Sequence, residues 1–188
     1  MMKKVLRERG LPEDLVYVAL IESGFSSSAL SRVGAVGYWQ FMRGTGRDYG
    51  LKINSHIDER RDPVLSTQAA ADYFSGLYNL FGSWYLAIAS YNTGENRVKR
   101  LIMTHHTRDF WELIKRGRMP SETVNYVPKF IAASLIAKNP GKYGFADIEY
   151  SRPLAYDEIK VSGTISLRRL ANKMNLDYAE LKALNPAY

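Results

Sequence analysis

A chain of 188 residues with 46% hydrophobic and 24% charged content has the size and balance of one globular domain plus a small appendage, which excludes disordered and collagen-like classes. Its longest uninterrupted apolar run, residues 15–21, is far short of the roughly 20 residues needed to cross a bilayer. The net charge of +7 points to an acidic partner such as nucleic acid, anionic lipid or an anionic polymer, without choosing among them.

The start "MMKKVLRERG" is basic but has no apolar stretch behind it, so no signal peptide is expected, and the chain reads as cytoplasmic or as a piece of an exported protein. Pro12 suits a first helical position, with Glu13 and Asp14 in the favourable first turn, and predicts a helix to about Ser23, stopped at Gly24. Glu22 follows Leu15 and Val18 at spacings of seven and four, which puts all three on the core-facing stripe. Desolvation and the negative end of the helix dipole both disfavour the charged form of such an acid, and a carboxyl kept protonated near neutrality can serve as a general acid. A solvent-facing or Arg-paired helix-end glutamate is the plainer reading of this stretch alone.

Residues 31–51, "SRVGAVGYWQFMRGTGRDYGL", set five glycines around Tyr38-Trp39, Gln40 and Phe41-Met42. Gly34 and Gly37 permit positive φ and close backbone approach, the aromatics offer flat faces to a sugar or to the core, and Gln40 can hydrogen-bond a substrate amide or hydroxyl. Asp62-Pro63 begins a helix that runs to Gly82. Another spans Trp84 to about Tyr91 and sets Tyr91-Asn92 at a rigid helix end before the Thr93-Gly94 turn. Seven basic residues between Arg97 and Arg118 read equally as a solvated face or a polyanion footprint. Ser121 can cap a further helix to the Asn139-Pro140-Gly141 stop, with a kink expected at Pro128.

Thus the body is all-α. "PGKYGFADIEYSRPL" reads as a surface connector. "YDEIKV" then alternates like a short strand, "SLRRLANKMN" is amphipathic and helical, and "DYAELKALN" begins a helix at an Asp177 cap. The absence of cysteine removes disulfides, thiol nucleophiles and zinc–thiolate sites, and with only His56, His105 and His106 no metal site is expected.

In this order, "ESGFSSSALSRVGAVGYWQFM", "TGRDYGL", "DERRDPVLSTQAAADYF", "FGSWYLAIASYNTGENRV" and "SETVNYVPKF" resemble the catalytic domain of lytic transglycosylases of the soluble-transglycosylase-like family. The resemblance covers roughly residues 5–145. It implies a mainly α, lysozyme-like (goose-type) domain over 1–145, a connector at 146–155 and, over 156–188, a small α+β LysM-like module that is incomplete. That module's usual Gly-Asp-Thr reads Ser162-Gly163-Thr164. The implied activity is cleavage of the β-1,4 bond between N-acetylmuramic acid and N-acetylglucosamine in peptidoglycan, with Glu22 as acid/base and no metal or organic cofactor. Ser23, Gln40, Met42, Tyr91, Asn92, Glu122 and Tyr126 fall at positions that look like the family's substrate-contacting residues. Two departures stand out: Arg43 where the family usually has Pro, and Tyr38 where it often has Leu.

Ordinary glycosidases need two carboxyl groups, about 5–5.5 Å or about 6.5–9.5 Å apart, whereas substrate-assisted ones do not. No acid lies between Ser23 and Arg47, although Asp48, Asp58 or Glu59 could fold back. The resemblance favours the one-acid route to a 1,6-anhydromuramic end. A goose-lysozyme-like hydrolase and a non-catalytic peptidoglycan-binding protein are the other readings, and no nucleic-acid-binding motif is present. The family resemblance further implies a periplasmic or outer-membrane-attached parent protein, acting on glycan strands as a monomer, with no membrane-spanning segment in this chain.

Overall fold

The computed structural model describes residues 1–116, 119–151 and 155–188. Eight helices form the body: α1 (Met2–Glu8), α2 (Val16–Ser23), α3 (Arg43–Asp48), α4 (Pro63–Phe81), α5 (Trp84–Thr93), α6 (Glu95–His105), α7 (Phe110–Lys115) and α8 (Ser121–Lys138). Two more, α9 (Leu167–Met174) and α10 (Tyr178–Leu184), pack on each other near the C-terminus. Among the described residues the β-structure is confined to isolated antiparallel bridges, two of which, Leu30 with Val36 and Val36 with Phe41, shape the glycine-rich loop.

The helices begin and end for local reasons. Asp62 accepts from the N–H groups of Val64 (2.8 Å) and Leu65 (2.7 Å) and starts α4. Pro63 follows at the position where a missing N–H costs nothing. Gly82, at φ 65°, ends the helix. The expected helix from Pro12 is instead a 3-10 turn, Glu13–Leu15, that leads into α2. Ser121 lies inside the first turn of α8, which starts after Pro120, and makes no capping bond. Pro128 lies within α8, and the helix runs on to Lys138.

Helices α4 and α5 form the centre. Phe74, Leu86, Ile88 and Val98 are fully buried with Leu6, Leu15, Val18, Trp39 and Val127 from the surrounding segments. Each such side chain contributes about 1.5–3 kcal/mol over its exposed state. Trp39 is core, with its indole N–H donated to Thr67 Oγ1 at 3.0 Å, as a buried indole requires.

Two of the basic residues between 97 and 116 serve as caps. Arg108 donates to Phe81 O at 3.0 Å beyond the end of α4, and Arg116 donates to His105 O at 3.0 Å at the end of α6 while pairing with Glu112. Arg118 of that run, and residues 152–154 of the expected connector, lie outside the described residues.

The expected strand "YDEIKV" is not formed: residues 155–161 are exposed and carry no secondary structure. A single strand has no backbone partner of its own, and no second strand lies beside it among the described residues. The C-terminal unit is therefore helical here rather than α+β. The two predicted helices are present, capped by Ser166 (Arg169 N–H, 3.2 Å) and Asp177 (Glu180 N–H, 2.8 Å). Asp58 N–H donates to Ala187 O at 2.8 Å and ties this unit to the body.

Candidate active site

Glu22 sits in the last turn of α2, which stops at Gly24 (φ 59°, ψ 31°). Its carboxyl is half-buried and meets α8, where the buried Tyr126 donates to Glu22 Oε1 at 2.5 Å. No other hydrogen bond to this carboxyl is formed among the described residues, which leaves Oε2 without a protein partner. Burial raises the Glu22 carboxyl above the ordinary glutamate range, the Tyr126 bond pulls it back in part, and the charge of Glu122 adds to the rise. Burial, and then the charge of Glu22, push the Tyr126 phenol well above its ordinary value, so it stays a donor. The direction of the Glu22 shift was legible in the sequence; the direct Tyr126 contact, 104 residues away, was not.

Beside Glu22 runs the loop of residues 34–41, held by three clamps. Ser23 Oγ lies 2.7 Å from Tyr38 O and 3.0 Å from Ala19 O, so this hydroxyl is committed to backbone. Tyr91 donates to Trp39 O at 2.7 Å, and its ring stacks on Phe74 with centroids 4.7 Å apart. Arg60 donates from Nη1 to Gly34 O (3.2 Å) and Phe41 O (3.0 Å). Gln40 takes a left-handed φ of 50°. Its Nε2 donates to Gly37 O at 2.9 Å, leaving Oε1 as the part of the amide available to a ligand. Gly37 is required as glycine twice over: its φ is 78°, and a Cβ would lie 2.0 Å from Arg60 O.

Arg60 is itself buried and held by Asp58, with Nε to Oδ1 at 2.8 Å and Nη2 to Oδ2 at 2.7 Å. Burial alone would raise the Asp58 carboxyl, but the bonds and charge of Arg60 hold it below the usual range. Arg60 stands in the quoted "DERRDP" stretch, yet nothing in its spacing marks it as the brace of this loop.

Asn92, in the last turn of α5, is fixed from both ends of its amide. Thr123 donates to Asn92 Oδ1 at 2.7 Å, and Asn92 Nδ2 donates to Glu122 Oε1 at 3.2 Å. Thr123 carried no sequence signal beyond its place in "SETVNYV". Met42 is exposed at the start of α3. Arg43, next to it, occupies the first helical position, where proline is also favoured, and its guanidinium turns back toward Ile53 O (3.4 Å).

The structure thus sets Tyr126 on the Glu22 carboxyl, Ser23 and Tyr91 on backbone carbonyls of the loop that holds Gln40, and Asn92 on Glu122, with Met42 at the following helix start. Of the acids that might have folded back, Asp58 is held by Arg60, and Glu59 Oε2 accepts from Lys52 N–H at 2.7 Å. Glu122 is the acid whose charge bears on Glu22.

Residues 1–114 match the family described as transglycosylase SLT domain, and residues 155–188 match that described as lytic transglycosylase MltD, LysM-like domain. Over 187 residues the chain is 38% identical to membrane-bound lytic murein transglycosylase D of Escherichia coli, covering 96% of this chain and 40% of that protein. It is 31% identical over 144 residues to a peptidoglycan transglycosylase of an Escherichia phage, covering 74% of this chain and 10% of the phage protein. Among solved structures, an inactive glutamate-to-glutamine mutant of lytic transglycosylase Slt from Pseudomonas aeruginosa superposes with a TM-score of 0.60 at 26% identity, over 78% of this chain and 24% of that one. The 70 kDa soluble lytic transglycosylase of Escherichia coli shares the fold, with a TM-score of 0.63 at 23% identity over 78% of this chain and 24% of its own.

Proposed function

This chain belongs to the transglycosylase SLT domain family, and from that premise we propose that it is a lytic murein transglycosylase. It cleaves the β-1,4 bond between N-acetylmuramic acid and N-acetylglucosamine without water and leaves a 1,6-anhydromuramic end. The activity is proposed by likeness to relatives of which the chain spans 40% or less. The observation that carries the one-acid route is the environment of Glu22: a half-buried carboxyl raised by burial, with Tyr126 as its hydrogen-bond donor and no second carboxylate bonded to it.

In this reading Tyr126 holds Oε1, and the acid proton resides on Oε2. Protonated Glu22 gives that proton to the glycosidic oxygen as the bond to C1 breaks. The muramic 2-acetamido oxygen attacks C1 and forms an oxazolinium-like intermediate. The Glu22 carboxylate, stabilised by Tyr126, then takes the proton of the C6 hydroxyl, whose oxygen attacks C1 and displaces the acetamido oxygen. The proton balance closes on Glu22, and no water, metal or organic cofactor is consumed. Asn92, fixed by Thr123 and Glu122, and the Oε1 of Gln40 orient the sugar, since internal attack depends on a near-attack geometry. Ser23 and Tyr91 act through the loop they clamp, and Met42 lines the approach.

We divide the chain into a catalytic domain at 1–145, a connector at 146–155 and a LysM-like module at 156–188, acting in the periplasm of a longer, membrane-attached protein. The test is release of soluble fragments from purified sacculi by the chain and by Glu22→Gln. Release that depends on Glu22 supports the reading, and a fully active Glu22→Gln protein overturns it. A hydrolytic outcome would bring in Glu122, whose charge is felt at Glu22, as the water-positioning carboxylate.

A further inference from the structure

A cleft of about 520 Å³ lies where the C-terminal unit meets the body, and none of the steps above uses it. One wall is Ser27, Ser28, the 54–58 turn and Arg61; the other runs from Lys182 to Tyr188. It is held together at its base, where Asp58 N–H donates to Ala187 O at 2.8 Å and Ala187 is buried.

The polar chemistry of this cleft is unbalanced. The Asp58 carboxylate is taken at both oxygens by Arg60, and Asn54 Oδ1 accepts from the N–H groups of His56 (2.8 Å) and Ile57 (3.0 Å). The charged acceptor and the amide acceptor of the 54–58 turn are therefore already engaged. Donors remain. Arg61 commits Nη1 to Ser27 O at 2.8 Å and keeps the rest of its fork. Lys182 enters no ion pair among the described residues. Two cations beside a neutralised acid fit a carboxylate ligand, which accepts charge-assisted bonds at both oxygens.

Position narrows the source of that carboxylate. Arg61 holds the backbone of Ser27 at 2.8 Å, the preceding Ser26 N–H donates to Ser23 O at 3.1 Å, and Ser23 adjoins Glu22. Only a few residues separate the cleft from the proposed acid. We infer that the cleft binds a free carboxylate of a peptide branch carried by the glycan being cleaved, and that the C-terminal unit supplies half of this second substrate site. The inference rests on the proposed glycan-cleaving function, in that it names the substrate part lying beside the cleaved bond.

The test uses the 188-residue chain with Glu22→Gln to prevent turnover, titrated with two soluble probes: a muramic-type disaccharide carrying its peptide, and the same disaccharide after amidase removal of the peptide. The peptide-bearing probe binds about ten-fold more tightly. Adding Lys182→Glu, at a half-buried position of α10 that makes no ion pair among the described residues, abolishes that preference while leaving binding of the peptide-free probe unchanged. Amidating the peptide carboxylates does the same, and inorganic phosphate competes weakly. Equal affinity for the two probes, a preference that survives Lys182→Glu, or competition by phosphate as strong as by the peptide-bearing probe would each overturn the inference. The two proposals fail separately. Cleavage of peptide-free glycan with no peptide preference removes only the cleft's role, whereas peptide-dependent binding with no cleavage of any glycan removes only the proposed activity.

Discussion

Replacing Arg60 by Met removes the guanidinium and keeps an unbranched stem. The stem matters because a Cβ at Gly46 would already meet Arg60 Cγ at 3.4 Å, so Met leaves that close packing in place. What is lost is the fork on Asp58 and the donations to Gly34 O and Phe41 O. Phe41 O keeps a bond from Val36 N–H at 3.1 Å, whereas Gly34 O loses its donor and the Asp58 carboxylate keeps only the backbone N–H of residue 60 at 3.3 Å. Breaking one side of a fully buried pair costs about 3–5 kcal/mol. The Asp58 side chain is 23% exposed against 7% for Arg60, so water recovers part, and the expected loss is about 2–3 kcal/mol. In a chain of this size that lowers the melting temperature by about 4–12 °C. The loop loses one of its three clamps, and displacement of the groups around Glu22 by about 1 Å costs on the order of 100-fold in turnover. Calorimetry reads the first effect, and fragment release from sacculi well below the variant's melting temperature reads the second. Since Arg60 holds Asp58 below its usual range, the pair's contribution is complete above the unfolded carboxylate value and fades as pH falls through the folded one. The gap in melting temperature therefore narrows in acid. Adding Asp58→Asn recovers part of the stability and none of the rate. A variant that melts like wild type would refute the brace; one that melts lower but turns over normally when folded would refute its connection to the site.

Glu22→Gln melts above wild type near neutral pH: with the folded carboxyl raised by burial, the folded state binds more protons between the unfolded and folded values, so wild-type stability falls as pH rises through that window. The two proteins converge in acid below about pH 4.3, and thermal melts across pH check this. Tyr126→Phe removes the donor that stabilises the Glu22 carboxylate. The basic limb of its kcat/KM profile moves to higher pH and turnover falls about ten-fold; a limb that stays or moves down contradicts the role given to Tyr126. Gly37→Ala meets Arg60 O at 2.0 Å with φ at 78°, costs about 3 kcal/mol or more, and lowers the urea midpoint without changing the slope.

Local chemistry made much of the fold legible. Asp62-Pro63, Gly24, Gly82 and Asp177 mark helix ends by what their side chains or φ angles do for backbone groups, and that depends on neighbours in sequence alone. The site was legible where an acid or an amide stood at a helix end, as at Glu22 and Asn92. Long-range partners were not: nothing near Tyr126 shows that its hydroxyl meets Glu22, and Arg60 looks like any other surface arginine until its fork is seen on Asp58. Gln40 and Ser23 were read as facing a substrate, and part of their hydrogen bonding is instead turned to backbone. The alternation of "YDEIKV" failed as a strand signal because pairing, not period, makes a strand.

The central claim is that Glu22 works alone and that the substrate, not water, supplies the second nucleophile. Digesting sacculi in water labelled with heavy oxygen and weighing the fragments tests it most directly. The account predicts muramic ends lighter by one water than their reducing counterparts, free of label, and absent with Glu22→Gln. Reducing ends that carry the label would contradict it and would place a water-activating carboxylate in the site.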